Sequence, residues 1–160
     1  DEFVDLVQFA VENELDLSFI EEMPLGEIHG RNSSFISSEE ALRIIGQRYP
    51  LVASNESSGG PARYWRIPGS ESRIGFISPH SHNFCDTCNR VRITAKGELY
   101  PCLGQNDAMH LLPILREHPN NDDLLRQAIM DSMGIKPFGH DFTQQMEAPQ
   151  VVRFMSMTGG

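Results

Sequence analysis

The three cysteines of this chain fall in one short stretch, and their spacing is that of metal ligands. Cys85 and Cys88 form a C-x2-C pair, and Cys102 follows after thirteen further residues. In a reducing compartment such pairs more often bind metal or carry redox chemistry than form disulfides, and an odd count leaves one cysteine outside any disulfide framework. The pattern therefore predicts that three thiolates hold a soft metal ion or an iron–sulfur cluster.

Two kinds of metal centre fit this spacing. His82 completes the pattern H-x2-C-x2-C-x13-C, and three cysteines with one histidine are a common structural zinc set. On spacing alone, zinc and an iron–sulfur cluster both remain open. A third and less specific interpretation is that the cysteines are buried structural residues without metal, with His80 and His82 as solvated loop residues.

The two arginines that follow Cys88 favour the cluster over zinc. Arg90 and Arg92 stand immediately after the second cysteine, whereas a closed structural zinc site has no use for neighbouring cations. A cluster with three cysteine ligands leaves one iron without a protein ligand, and that iron can take a substrate atom. Arginine is the side chain that binds phosphate in bidentate fashion, so we expect an anionic ligand beside the cluster.

A hairpin is needed to bring the third cysteine back to the first two. Residues 89–94 alternate basic and apolar side chains and predict a strand, with Lys96 and Gly97 at the turn and a return strand over Leu99–Cys102. This register places Cys102 opposite Val91, with Arg90 and Arg92 on one strand face. Gly97 suits a backbone conformation with positive φ.

The charge balance excludes some classes of partner. The chain has 160 residues and a net charge of −9, which disfavours nucleic acid and anionic membranes as partners. Yet the segment from Pro61 to Lys96 holds six basic residues and two acidic ones, which suggests a small anionic ligand. No apolar run is long enough to cross a membrane and no secretory signal opens the sequence, so we expect a cytosolic protein.

The remaining pattern predicts a mixed α+β chain. Helical spacing predicts amphipathic helices, one of which opens at the capping-box sequence Ser37-Ser-Glu-Glu40 and another at Asn121 with Gly134 as its C-terminal cap. The last helix is expected to bury Leu124, Leu125, Ala128, Ile129 and Met133. The other predicted helices are Asp1–Asn13 and Leu111–Glu117, and the other predicted strands are Leu15–Ile20, Ala62–Ile67 and Arg73–Ser78, the last two forming a hairpin.

The segment CDTCNRVRITAKGELYPCL strongly resembles the C-terminal cluster motif of the GTP 3′,8-cyclase family, radical S-adenosylmethionine enzymes of molybdenum-cofactor biosynthesis. Three further segments are similar to that family: FIEEMPLG from Phe19, IGFISP from Ile74, and the terminal Gly159-Gly160. The resemblance covers nearly the whole chain. It implies that the parent enzyme converts GTP to (8S)-3′,8-cyclo-7,8-dihydroguanosine 5′-triphosphate.

The resemblance also implies roles for individual residues. Cys85, Cys88 and Cys102 are expected to hold a 4Fe–4S cluster, and the segment Arg90–Val91–Arg92 to bind GTP. Met23 falls where the family contacts S-adenosylmethionine, and the double-glycine tail is expected to enter the active site. No residue of this chain is assigned a directly catalytic role.

The chain departs from the family in two respects. The N-terminal C-x3-C-x2-C motif, which holds the second, radical-generating 4Fe–4S cluster of the family, is absent from these residues. Ser18 stands where many members carry an arginine. We therefore expect residues 1–22 to be a helix and strand from a radical-SAM TIM-like barrel, and residues 23–160 to form a C-terminal domain with a small antiparallel sheet and flanking helices. Such a fragment is expected to be inactive alone, to need the missing N-terminal half, and to form a homodimer through faces that the barrel would cover.

Overall fold

The computed structural model describes residues 2–26, 35–140, 142, 151 and 153–158. The described chain is α+β, as predicted, and it divides into two compact units. The first unit contains the described residues up to Met23 together with 35–84, and the second contains Pro24–Gly26 and the described residues from Cys85 onward. The division at residue 22, which rests on the resemblance to a barrel, stays a prediction.

A four-stranded mixed sheet with two helices forms the first unit. The strand order is β1-β4-β3-β2, in which β1 pairs with β4 in parallel and the other neighbours are antiparallel. The hairpin predicted between β3 and β4 is confirmed. The elements are α1 (Phe3–Glu12), β1 (Leu17–Ile20), α2 (Ser38–Gly46), β2 (Val52–Ser54), β3 (Arg63–Arg66) and β4 (Arg73–Ile77).

Apolar spacing on α1 and α2 explains why both helices join the core of this unit. Val7 on α1 and Ile45 on α2 are fully buried, in a cluster with Ile74 and Phe76 of β4. Phe76 lies 5.1 Å from Trp65, ring centroid to ring centroid, in an edge-to-face arrangement, which favours a fixed packing of the two rings. The helix and strand that open the chain are thus part of this core.

The capping prediction for α2 is confirmed. The Ser37 hydroxyl accepts a hydrogen bond from the backbone N–H of Glu40 at 3.2 Å, which satisfies one of the free donors of the first turn. The Glu40 carboxylate pairs with Arg43 one turn later. The helix therefore begins where the sequence pattern places it.

In the described part of the second unit, a three-stranded antiparallel sheet with strand order β5-β6-β7 packs with two α-helices. Leu99, Leu111 and Ala128 form its buried core. Short 3₁₀ turns cover Cys85–Thr87 and Met155–Thr158. The other elements are β5 (Arg92–Ile93), β6 (Glu98–Tyr100), β7 (Met109–His110), α3 (Leu111–Glu117) and α4 (Asp122–Gly134).

Helix α4 begins as predicted but differs in its buried face and its end. The Asn121 side chain accepts a hydrogen bond from Leu124 N, which confirms the N-cap. Ala128 and Ser132 are the buried residues of α4, whereas Leu124 and Ile129 are 41% and 38% exposed, so those two were wrongly assigned to the core face. Gly134 is the last helical residue rather than a cap with positive φ.

Two strands were missed because each is only two or three residues long. Val52–Ser54 and Met109–His110 are edge strands of their sheets. Two or three residues are too few to show the alternation of apolar and polar side chains that predicts a strand. Within the described ranges, no helix has both the length and the apolar character needed to cross a membrane. The cytosolic location stays a prediction.

Candidate metal centre

A tight turn presents the first two cysteines. Cys85 opens the 3₁₀ turn Cys85–Thr87, and the backbone N–H of Cys88 donates to the Cys85 carbonyl at 3.2 Å. The C-x2-C spacing matches one such turn, so the two side chains leave the backbone close together. Both cysteines are half-buried, and neither forms a disulfide.

The third cysteine follows β6, and the hairpin that carries it differs by one residue from the prediction. Arg92 pairs with Tyr100 and Ile93 with Leu99, so the register that placed Cys102 opposite Val91 is wrong. The cause lies in the turn: Gly97 has φ of +75° and donates to the carbonyl of Thr94 at 2.9 Å, while Thr94 N donates to Glu98 O at 3.0 Å. A three-residue connection with a bulged glycine shifts the return strand by one position.

The hairpin brings the three thiols into one electrostatic environment. Burial raises the pKa of the Cys102 thiol, and negative charge on Cys85 and Cys88 raises it further, while Lys136 acts in the opposite direction. Three neighbouring thiolates repel one another in a partly buried site, so their ionisation needs a compensating positive charge. A bound metal supplies such charge, since ligating cysteines are deprotonated.

Glycine backbone packs beside two of the three cysteines. All three cysteines are half-buried and none forms a disulfide, and glycines stand next to two of them. A Cβ on Gly139 would lie 3.7 Å from Cβ of Cys85, and a Cβ on Gly104 would lie only 2.6 Å from Cβ of His140. The backbone therefore packs closely beside the first cysteine and just after the third.

The zinc pattern with His82 is not assembled around a single ion. Among the described residues, no three or more His, Cys, Asp or Glu side chains converge on one metal position. His82 is exposed. A 4Fe–4S cluster spans several metal atoms, so its ligands lie farther apart than the four donors that contact one zinc ion at about 2.0–2.3 Å.

The two predicted arginines lie beside the second cysteine but not along one strand. Strand β5 covers only Arg92 and Ile93, so Arg90 and Val91 precede it and the predicted strand over residues 89–94 is too long. Arg90 is exposed, Arg92 is half-buried and Val91 is 42% exposed. Within the described ranges, neither guanidinium takes part in an ion pair.

Other arginines of the basic segment are already paired, which narrows the candidate anion site. Arg66 bonds the Glu56 carboxylate, and Arg73 bonds that of Asp16. Each partner carboxylate has its pKa held below the usual range, first of all by the hydrogen bond from its arginine. The local excess of basic residues therefore does not by itself form an anion site, and the candidate cations reduce to Arg63 and those that follow the cysteine pair.

Lys136 is a residue beside the cysteines that the sequence did not single out. Its ammonium nitrogen lies 4.0 Å from Sγ of Cys88 and donates to the carbonyl oxygen of Arg90 at 2.6 Å. A lone lysine just after a helix carries no pattern, so only the fold reveals it.

Glu21 is a second residue that the sequence did not single out, in the first unit. It is 3% exposed, and its carboxylate accepts hydrogen bonds from the backbone N–H groups of Ser38, His80 and Ser81 and from the Ser81 hydroxyl. Burial raises the pKa of Glu21, but these hydrogen bonds outweigh it and the net pKa is lowered.

The remaining predicted site residues have mixed outcomes. His80 is half-buried, lies edge-on to Phe35 and contacts the carbonyl of Glu22 through Nε2, so its assignment as a solvated residue is wrong. Met23 is half-buried at the end of the first unit. Gly159 and Gly160 lie outside the described residues.

Comparison with known proteins identifies a family. A family model described as Molybdenum Cofactor Synthesis C matches residues 15–142. The chain is 54% identical to the GTP 3′,8-cyclase of Ectopseudomonas mendocina (strain ymp) over 162 residues, covering 100% of this chain and 49% of that protein. It is 53% identical to that of Pseudomonas putida (strain W619), covering 100% of this chain and 48% of the relative. For Saccharophagus degradans the identity is 52%, with 99% and 48% covered.

The chain spans about half the length of the curated relatives it matches. The resemblance inferred from the cysteine and arginine motif is confirmed by relatives that share more than half of all positions. Because the family model matches most of its residues, the chain belongs to the Molybdenum Cofactor Synthesis C family.

Proposed function

We propose that this chain is the C-terminal part of a GTP 3′,8-cyclase and that it provides the cluster and nucleotide site of that enzyme. Relatives named GTP 3′,8-cyclase at 52 to 54% identity support this assignment. The observation that carries it is the grouping of three half-buried cysteines, none of them in a disulfide, with two arginines directly after the second one.

In this proposal, Cys85, Cys88 and Cys102 hold a 4Fe–4S cluster. When bound, such a cluster supplies an iron with an open coordination position for a nucleotide atom. The support from this chain is the raised pKa of Cys102, to which negative charge on the other two cysteines contributes after burial. The raised pKa favours the neutral Cys102 thiol without metal, so loading with iron should release a proton from this residue.

The segment Arg90–Val91–Arg92 would bind the anionic part of GTP. Neither guanidinium is engaged in an ion pair with a described residue, unlike Arg66 and Arg73 in the first unit. Arg90 is exposed and Arg92 half-buried, so both can reach a phosphate group. Their fork-shaped donors match phosphate oxygens better than a lysine does.

Cyclisation itself would need a further part of the enzyme. We propose that S-adenosylmethionine chemistry is carried by a C-x3-C-x2-C motif, which these 160 residues do not contain, and that Met23 contacts this cofactor. This chain by itself would then bind iron and GTP but not release cyclised product.

Anaerobic reconstitution with iron and sulfide tests the metal assignment. We expect about four irons per chain, brown colour and loss of colour in oxygen, as a 4Fe–4S centre requires. The Cys102→Ser variant should retain much less iron, because one of three ligands is lost. Colourless protein with one zinc per chain after the same treatment would support a zinc-binding interaction module instead and remove the GTP site proposal.

A further inference from the structure

A single guanidinium lies at the centre of the loop that follows the third cysteine. Arg153 places its Cζ 3.8 Å from the centroid of the Tyr100 ring, a distance at which a cation is attracted to the face of an aromatic ring. Tyr100 ends β6, two residues before Cys102. The arginine therefore packs on the strand that delivers the cysteine.

The same guanidinium donates hydrogen bonds to several oxygen atoms of the loop. Its Nη2 donates to the carbonyl oxygens of Leu103 at 3.0 Å and of Gln105, with Cys102 O at 3.5 Å. Its Nη1 donates to Oδ1 of Asn106 at 3.1 Å. Carbonyl dipoles that point at one another repel, so this backbone path needs a cation at its centre.

The position of Arg153 is fixed from its own side of the chain as well. Val151 is fully buried and bridges Leu25, and the Gly26 N–H donates to the Val151 carbonyl at 2.8 Å. A Cβ on Gly26 would lie 2.6 Å from the ring of Phe154, so this ring packs directly on the glycine backbone. Anchors on both sides hold the arginine in place.

Burial opposes the charge of this arginine, and the net effect of its surroundings is a lowered pKa. Burial lowers the pKa of Arg153, while the Tyr100 and Cys102 groups raise it, and arginine stays charged even after a substantial shift. Its Nε is buried without a hydrogen-bond partner among the described residues, which is an unfavourable term. The chain tolerates this cost where the other two nitrogens bind the loop.

We propose that Arg153 is a positioning residue that holds the Cys102–Asn106 loop in the shape that presents the third cysteine. It acts through the carbonyl oxygens of the loop and the Tyr100 ring and does not contact the metal. The inference rests on the proposed function only in taking Cys102 to be a cluster ligand. The loop-ordering part of it holds for the chain without metal.

The first measurement is amide hydrogen exchange of the metal-free chain, followed by mass spectrometry over residues 103–106. Arg153→Ala should speed exchange there by about tenfold or more, because four hydrogen bonds and the ring contact are lost. Arg153→Lys should restore part of the protection, since an ammonium group can bind several carbonyls. Arg116→Ala, which removes an exposed arginine on α3, is the matched control and should leave the loop unchanged.

The second measurement is iron retention after anaerobic reconstitution. The Arg153→Ala chain should lose iron to a chelator about tenfold faster than the wild type, and millimolar guanidinium ion should slow this loss in Arg153→Ala alone. Rescue by free guanidinium ion would show that the variant lacks a cation among the loop carbonyls. A general loss of packing would not be rescued in this way. Should Arg153→Ala fail to fold, Arg153→Lys and Tyr100→Leu give the same test in milder form.

The outcomes separate this inference from the proposed function. A wild-type chain that takes up no iron would overturn the proposed function, while the exchange data would still decide whether Arg153 orders the loop. Unchanged exchange over residues 103–106 in Arg153→Ala would overturn the inference, even if iron binds normally. Faster exchange with unchanged iron retention would also overturn it, because the loop order would then not serve the third cysteine.

Discussion

The ammonium group of Lys136 lies 4.0 Å from Sγ of Cys88 and donates to the carbonyl of Arg90 at 2.6 Å. The Lys136 side chain, two residues after the end of α4, thus contacts both Cys88 and Arg90. It also places a positive charge beside a proposed cluster ligand. A nearby cation stabilises the reduced, more negative form of a cluster.

Replacing Lys136 by methionine should therefore lower the reduction potential of the reconstituted cluster. Loss of about 1 kcal/mol of stabilisation of the reduced state corresponds to about 40 mV for one electron. Anaerobic redox titration of the wild type and Lys136→Met would measure the shift. Lys96→Met, which removes an exposed lysine at the hairpin turn, should leave the potential within error; equal shifts in both variants would mean that only overall charge matters.

The arginine pair gives a prediction for nucleotide binding. Replacing Arg90 or Arg92 by alanine should weaken GTP binding to the reconstituted chain by about 10- to 100-fold, since each charge-assisted contact contributes about 1.5–3 kcal/mol. Iron content should stay at the wild-type value because arginine is not a ligand. Lysine at either position should rescue only part of the affinity, since it keeps the charge and loses the fork.

Isothermal titration of GTP into the wild type, Arg90→Ala, Arg92→Ala and Arg116→Ala would test this prediction. The exposed Arg116 of α3 controls for a general loss of positive charge. If all four proteins bound GTP with equal affinity, the two arginines would have no place in the nucleotide site.

The sequence predicted the elements that have a local signal. Ser37 and Asn121 have side chains that bond to the first turn of a helix, and both caps were found. The hairpin turn at Gly97 was also found, because positive φ there strongly favours glycine. Its register was predicted one residue out. The sequence pattern does not distinguish a three-residue connection with a bulge from a two-residue turn.

Contacts that arise only from tertiary packing could not be predicted. Glu21, Lys136 and Arg153 carry no motif. Their hydrogen-bond partners lie 17 to 60, 46 to 48 and 47 to 51 positions away in sequence, respectively. The same reason explains why the ion pairs of Arg66 and Arg73 could not be predicted. Their partners Glu56 and Asp16 become neighbours only when the sheet forms.

The buried carboxylate of Glu21 predicts an acid-sensitive first unit. Hydrogen bonds hold its pKa below the usual range against the effect of burial. A lowered folded-state pKa means that this group contributes stability above its unfolded pKa, and that the contribution is lost as pH falls through the folded value. We expect Glu21→Gln to destabilise the unit by about 1–3 kcal/mol at pH 7, because an amide group then faces several N–H donors.

Fluorescence of Trp65 reports this unit alone, since the sequence has one tryptophan and it packs on Phe76. Urea unfolding at pH 7 and near pH 3 should show a difference between the wild type and Glu21→Gln that shrinks as the pH falls. Glu14→Gln, at an exposed position, is the control. A difference that stays constant or grows towards low pH would contradict the role assigned to the ionised carboxylate.

Two glycines of the second unit give opposite expectations for the same substitution. Gly97 has φ of +75°, and a Cβ there would lie 2.9 Å from Cβ of Leu112, whereas Gly134 has no atom within 4 Å of a built Cβ and lacks positive φ. Gly97→Ala should therefore destabilise the unit by about 1–3 kcal/mol, through backbone strain and a clash with the start of α3. Gly134→Ala should be neutral or stabilise it by up to about 1 kcal/mol, because alanine favours the helix.

Hydrogen exchange of the α3 and α4 amides in both variants measures the two effects side by side. Wild-type exchange in Gly97→Ala would mean that the turn does not hold the hairpin against the helices, and the register that positions Cys102 would lose its physical basis. Faster exchange in Gly134→Ala would mean that the end of α4 does not accept an added methyl group.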